Sequence, residues 1–153
     1  MVMVLTATAT LAYLDRQLFN LFSQQIKQDL ALSDTELGAL QGVAFSLFYG
    51  VMSFPIARLA DRGSRKKVIV FSLLFWSVAA AATAITKSFA SLFLVRAGIA
   101  SGEAGLTPSA SAMIADSFPR RLLALPISVY LLSIYFGSGL AMLLGAFIHT
   151  ASG

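Results

Sequence analysis

The stretch Asp61–Thr86, DRGSRKKVIVFSLLFWSVAAAATAIT, sets five charged residues within Asp61–Lys67 against nineteen uncharged ones, Val68–Thr86. A bilayer core ~30 Å thick takes roughly 20 apolar residues of helix, so Val68–Thr86 is long enough to span. Outward from it, Leu37–Ala57 is free of charge over 21 positions and Leu122–Gly153 over 32. Two further apolar segments are interrupted, Val2–Phe22 by Asp15 and Arg16, and Phe89–Asp116 by Arg96 and Glu103. The pattern predicts an all-α membrane protein with five spanning helices at about 2–22, 37–59, 68–86, 89–116 and 122–148. The first lacks the basic start and small-residue cleavage site of a signal peptide and is read as a retained span.

Composition supports this reading. The 153 residues are 58% apolar and 12% charged, where soluble domains carry about 25% charge. Disorder is excluded as well, because disordered chains are poor in apolar residues. No cysteine is present, so a disulfide framework and thiolate chemistry drop out, and His149 is the single histidine. No enzyme, metal site or cofactor is expected from such an inventory. The net charge of +4 could suit nucleic acid, but its placement favours a membrane. Arg58, Arg62, Arg65, Lys66, Lys67, Arg120 and Arg121 follow the second and fourth spans; only Lys27 and Lys87 follow the first and third. The positive-inside rule then puts the 2–3 and 4–5 turns, and the N-terminus, in the cytoplasm. No nucleic-acid partner is expected. The location expected is a plasma or bacterial inner membrane.

Small residues recur at four-residue spacing, Gly98 and Gly102, then Gly137, Ala141 and Gly145, which lets helices approach closely in lipid. Pro126 falls in the first turn of its helix, where a missing N–H costs little. Pro108 lies deep inside the fourth span and is expected to kink it. Trp76 and His149 are read as packing and interfacial residues.

Asp15, Arg16, Arg96 and Glu103 are the informative residues. Each costs ~3 kcal/mol at a helix centre, so such groups usually face a wet cavity or pair across helices. Asp15 and Arg16 are sequence neighbours, pointing ~100° apart around a helix. Arg96 and Glu103 are two turns apart on one face, separated by ~10 Å along the axis. Their depths in the spans predict an Asp15–Arg96 pair, with Glu103 deeper and within reach only of the long Arg16 side chain. A static ion pair that merely glues the helices is the competing reading.

Ala57–Lys67, ARLADRGSRKK, resembles the major facilitator signature Gly-x-x-x-Asp-Arg-x-Gly-Arg-Arg/Lys between helices 2 and 3. Asp61, Arg62, Arg65 and Lys66 match it; Ala57 and Ser64 replace its glycines, and Gly63 comes one place early. Arg96–Pro108, RAGIASGEAGLTP, resembles the family's helix 4 motif, Arg-x-x-x-Gly-x-Gly-x-Ala, with Ala100 for its first glycine. Tyr13-Leu14-Asp15-Arg16, Gly102-Glu103-Ala104 and Asp116-Ser117-Phe118-Pro119 are similar to spinster-like transporters, and the last two also to the anion:cation symporter branch.

The resemblance implies that residues 1–153 are five helices of an N-terminal six-helix half, with the C-terminal half absent, so that the chain alone would not transport. It implies a secondary transporter moving a small organic or lipid-like solute, such as a lysolipid or organic acid, by alternating access. Asp15, Arg16, Arg96 and Glu103 would line the path, with Arg16 or Arg96 on an anionic head group and Glu103 titrating. Asp61 would latch onto a helix end of the other half while Arg65 reaches toward Asp116. The basic turn would also hold anionic membrane lipids at ~1 kcal/mol per residue. Tyr13, Phe45, Phe48, Tyr49, Tyr130 and Tyr135 offer surfaces for an apolar tail, although packing accounts for most of them. A non-transporting helical assembly or adaptor is the alternative.

Overall fold

The computed structural model describes residues 1–152, apart from the side chains at 149, 151 and 152, so the interfacial reading of His149 lies outside the described residues. All regular structure among the described residues is helical. Four helical runs are long and apolar enough to cross a membrane: Asp34–Arg62, Arg65–Ile85, Phe89–Ser117 and Ala124–Ile148. The fifth expected span, α1 (Val2–Leu21), is a 20-residue helix, but Asp15, Arg16, Gln17 and Asn20 keep its polarity above that of the other four. The chain divides into two compact units, one of residues 1–24 with those from 114 onward, the other of residues 25–113.

In the first unit α1 lies along α8 (Ala124–Ser152). Leu5, Ala9, Ala12 and Phe19 are buried at helical spacing on α1. The approach is close at Gly137, where a Cβ would sit 2.6 Å from Cβ of Tyr13 and 2.7 Å from the Thr10 carbonyl. Gly145 meets Leu21 in the same way, so the 137–141–145 stripe is a packing surface. Thr6 Oγ1 donates to the Val2 carbonyl at 3.0 Å, with the Val129 carbonyl of α8 at 3.4 Å, so its own hydroxyl is satisfied within the seam. Pro126 is the third residue of α8, within its first turn as expected.

In the second unit the loop after α1 is partly helical, α2 (Ser23–Asp29), and Lys27 is paired with Asp34. The second span starts earlier than the apolar run predicts, with α3 (Asp34–Gly38). Ser33 Oγ accepts from the Glu36 amide at 3.2 Å and Glu36 Oε2 accepts from the Ser33 amide at 2.9 Å. This capping box satisfies otherwise orphaned donors, which hydropathy alone does not register. A π-helical turn, Ala39–Val43, leads into α4 (Ala44–Arg62). α5 (Arg65–Ala82) begins at the Ser64 cap and ends in a 3-10 turn at Thr83–Ile85.

α4 and α5 both pack on α6 (Phe89–Glu103). Gly98 faces Ala79, and a Cβ on Gly102 would lie 2.9 Å from the Trp76 backbone nitrogen. Trp76 is buried against this glycine, and its indole N–H has no acceptor among the described residues. The helix then breaks: α7 (Leu106–Ser117) starts anew after Ala104 and Gly105. The kink expected at Pro108 therefore appears one turn earlier. Proline cannot donate to the carbonyl four residues back, and its ring crowds that carbonyl; for Pro108 that residue is Ala104. Pro108 itself becomes the third residue of α7, where its missing N–H is not needed.

Candidate functional site

One face of α6 carries Leu92, Arg96, Ile99, Ala100 and Glu103 at successive helical steps, all buried. Arg96 is 3% exposed and Glu103 2%. Nε of Arg96 and Oε1 of Glu103 have essentially no accessible surface. Two ionisable groups, two turns apart, are thus withdrawn together into the second unit. The span containing them is 56% buried, against 17–22% for the other three.

Phe45 on α4 receives the Arg96 guanidinium over its ring, 5.4 Å from the centroid. Arginine suits this place because its planar cation is weakly hydrated and stacks on aromatic faces. Phe45 in turn stacks on Tyr49 at 5.8 Å, and the Tyr49 hydroxyl lies 3.4 Å from Thr107 Oγ1, just past the helix break. Phe48 meets Phe93 edge-on at 6.3 Å. Phe45, braced by Tyr49, thus supplies one aromatic face to the cation. Sequence pattern ranks Phe45 with packing residues, and only the pairing of α4 with α6 reveals its second role.

Asp15 and Arg16 belong to the first unit, where both are half-buried on α1. Oδ2 of Asp15 is enclosed, while the Arg16 guanidinium lies over the Tyr13 ring at 5.3 Å. Gln17, next in line, donates to Ser138 Oγ on α8 at 3.3 Å. Tyr130 is buried, whereas Tyr135 is 74% exposed and lies on the outer surface of α8.

The basic turn places Asp61, Arg62 and Lys66 at the surface. Arg65 is more enclosed: Nη1 donates to the Ala112 carbonyl of α7 at 3.1 Å, and Nη2 lies 3.9 Å from Asp61 Oδ1. Arg65 therefore tethers the start of α5 to α7, one turn before Asp116. Asp116 is exposed in the last turn of α7. A groove of about 840 Å³ runs between α4 and α7, lined by Tyr49, Ser53, Pro55, Arg58, Asp61 and Thr107. It links the surface carboxylate of Asp61 to the hydroxyl pair beside the helix break.

The Major Facilitator Superfamily model matches residues 5–153. A bacterial homologue of the human lysosomal transporter Spinster, crystallised inward-facing and occupied, superposes with a TM-score of 0.89 at 38% identity, over 94% of this chain and 31% of that one. An MFS-type efflux pump of Mycolicibacterium smegmatis is 36% identical over 98% of the chain and 35% of its own length. The mouse sphingosine-1-phosphate transporter SPNS2 is 30% identical over 98% of the chain and 28% of its own length. The Escherichia coli probable L-galactonate transporter is 35% identical over 76% of the chain and 25% of its own length.

The chain belongs to the major facilitator superfamily and is an integral, multi-pass membrane protein of the transporter class. Within that class it falls in the spinster-like branch. It spans about a third of the length of the efflux pump and of the solved homologue.

Proposed function

We propose that the chain works as part of a secondary active transporter for an amphipathic or anionic organic solute, a lysolipid or an organic acid, moved by alternating access. In this reading it is most of an amino-terminal half that a second half completes. Full burial of Arg96 and Glu103 on one face of α6 carries the proposal. Packing alone would use apolar residues there, since each ionisable group costs ~3 kcal/mol within a bilayer. Among the relatives, one is named for sphingosine-1-phosphate and another for L-galactonate. A phosphate on a tail and a sugar carboxylate share an anionic group, which a guanidinium recognises in bidentate fashion. Arg96, with Arg16 of α1, is assigned to that group, and Glu103, with Asp15, to the proton pathway.

Asp61, Arg62, Arg65, Lys66 and Asp116 are assigned to gating. The Arg65 bond to α7 ties the basic turn to the helix that continues from Glu103, so movement at the turn and at the carboxyl would be linked. The N-terminus is placed in the cytoplasm by the seven-to-two distribution of basic residues under the positive-inside rule. Residues 1–153 hold no cysteine, so in a full-length transporter cleared of any other cysteine Lys66→Cys should label only from the cytoplasmic side.

The decisive experiment is Glu103→Gln in the full-length transporter reconstituted in vesicles. Transport is expected to lose its pH dependence while substrate-dependent stabilisation persists. A pH profile unchanged from the parent removes Glu103 from coupling.

A further inference from the structure

A second groove, about 550 Å³, opens between α4 and α5 with its floor on α6. Leu59, Phe71 and Phe75 form its walls, Ser101 and Gly102 its floor, and Lys67 stands at its mouth. It is separate from the α4–α7 groove and shares no residue with the Arg96–Glu103 face. Leu59 and Phe71 are 62% and 71% exposed, so the walls project outward as they would toward acyl chains. Gly102 lets α6 approach the α5 backbone at Trp76 closely, so that the floor closes against the α5 wall.

We propose that this groove holds one acyl chain of an anionic diacyl phospholipid, with the head group at Lys67. Three observations converge on that occupant. The lining is apolar almost everywhere except at one end. That end is the cationic turn, where Lys67 forms no ion pair among the described residues, so its charge is available to a phosphate. From Ser64 to Phe75 is eleven residues of helix, ~16 Å of rise, about half of a ~30 Å hydrocarbon core. A chain entering from the leaflet beside the turn would fit that length with its phosphate level with Lys67. The lipid here is a bound component of the transporter and is not its cargo.

Trp76, buried against the groove's Gly102, serves as the reporter in a full-length transporter whose tryptophans outside residues 1–153 are replaced by phenylalanine. The protein is reconstituted in phosphatidylcholine vesicles containing a minor fraction of brominated-chain phosphatidylglycerol or brominated-chain phosphatidylcholine. Brominated phosphatidylglycerol is expected to quench Trp76 about fivefold more per mole, the preference one surface cation confers. Lys67→Gln should reduce quenching to the phosphatidylcholine level with helix content unchanged by circular dichroism. Ser101→Leu, which raises the floor, should weaken quenching by both lipids. Equal quenching by the two head groups, or an undiminished preference in Lys67→Gln, overturns the proposal. So does displacement of the brominated lipid by a lysophospholipid that is itself transported, which would assign the groove to the substrate. Absence of quenching, with Lys67 shielded from amine reagents by another protein helix, overturns it in favour of a protein contact.

Discussion

α1 and α6 carry the same kind of interruption, an acidic and a basic residue inside an otherwise apolar helix, yet they solve it differently. On α6 the two groups sit two turns apart along one buried stripe, and Phe45 covers the cation. On α1 the two groups are adjacent in sequence, diverge around the helix and remain half-buried, with Arg16 lying on Tyr13 of its own helix. A cation that is fully enclosed depends on a neighbouring helix for its environment. The difference follows the burial of the helices themselves, since the span that carries Arg96 and Glu103 is the most enclosed of the four.

The sharpest test of this contrast is truncation of each cation. Arg96→Ala should lower stability by ~3 kcal/mol, because removing a buried charge strands the groups arranged around it. Arg16→Ala, where water still reaches the site, should lower it by ~1 kcal/mol. Thermal midpoints in detergent would measure both, and equal shifts would erase the distinction between the helices.

Close helix contacts supply a second comparison. Leucine at Gly102 or Gly137 would drive a side chain into Trp76 or Tyr13, and each substitution is expected to cost ~1–3 kcal/mol by overpacking. A Cβ added at Gly139 would meet nothing within 4 Å, so Gly139→Leu should leave the midpoint nearly unmoved. A smaller effect is expected for Arg96→Lys, which keeps the charge but loses the flat face on Phe45, ~1 kcal/mol. In a Phe45→Leu background that penalty should vanish, and its persistence would rule out stacking as the cause. Pro108→Ala is expected to change stability least, by ~0.5 kcal/mol, since its N–H position needs no acceptor in α7. Gly105 is held against Ser72 and Ile56, so amide exchange should still find the break at 104–105.

The spans and the buried charges are legible in the sequence because the bilayer penalises charge so heavily. Val68–Thr86 and Leu37–Ala57 announce spans by length alone, and Arg96 and Glu103 stand out by their cost. The helix starts are less legible. The capping box at Ser33–Glu36 extends the second span to Asp34 by hydrogen bonds that a hydropathy count ignores. The break falls at Ala104–Gly105, one turn before Pro108, because proline acts on the carbonyl four residues behind it. The α4–α5 groove has no signature at all, being assembled from three helices whose residues are individually ordinary.

Sequence alone determined that the chain enters a membrane as helices, which segments are long enough to cross it and which ionisable groups must be accommodated there. Those conclusions follow from local quantities, apolar length and the cost of an isolated charge. Tertiary structure alone decided that Arg96 rests on Phe45, that Arg65 is tied to the Ala112 carbonyl of α7, and that α4, α5 and α6 enclose a groove reaching toward Lys67. These depend on how helices distant in sequence are brought together, and side-chain packing specifies that only when all of the contacting surfaces are present.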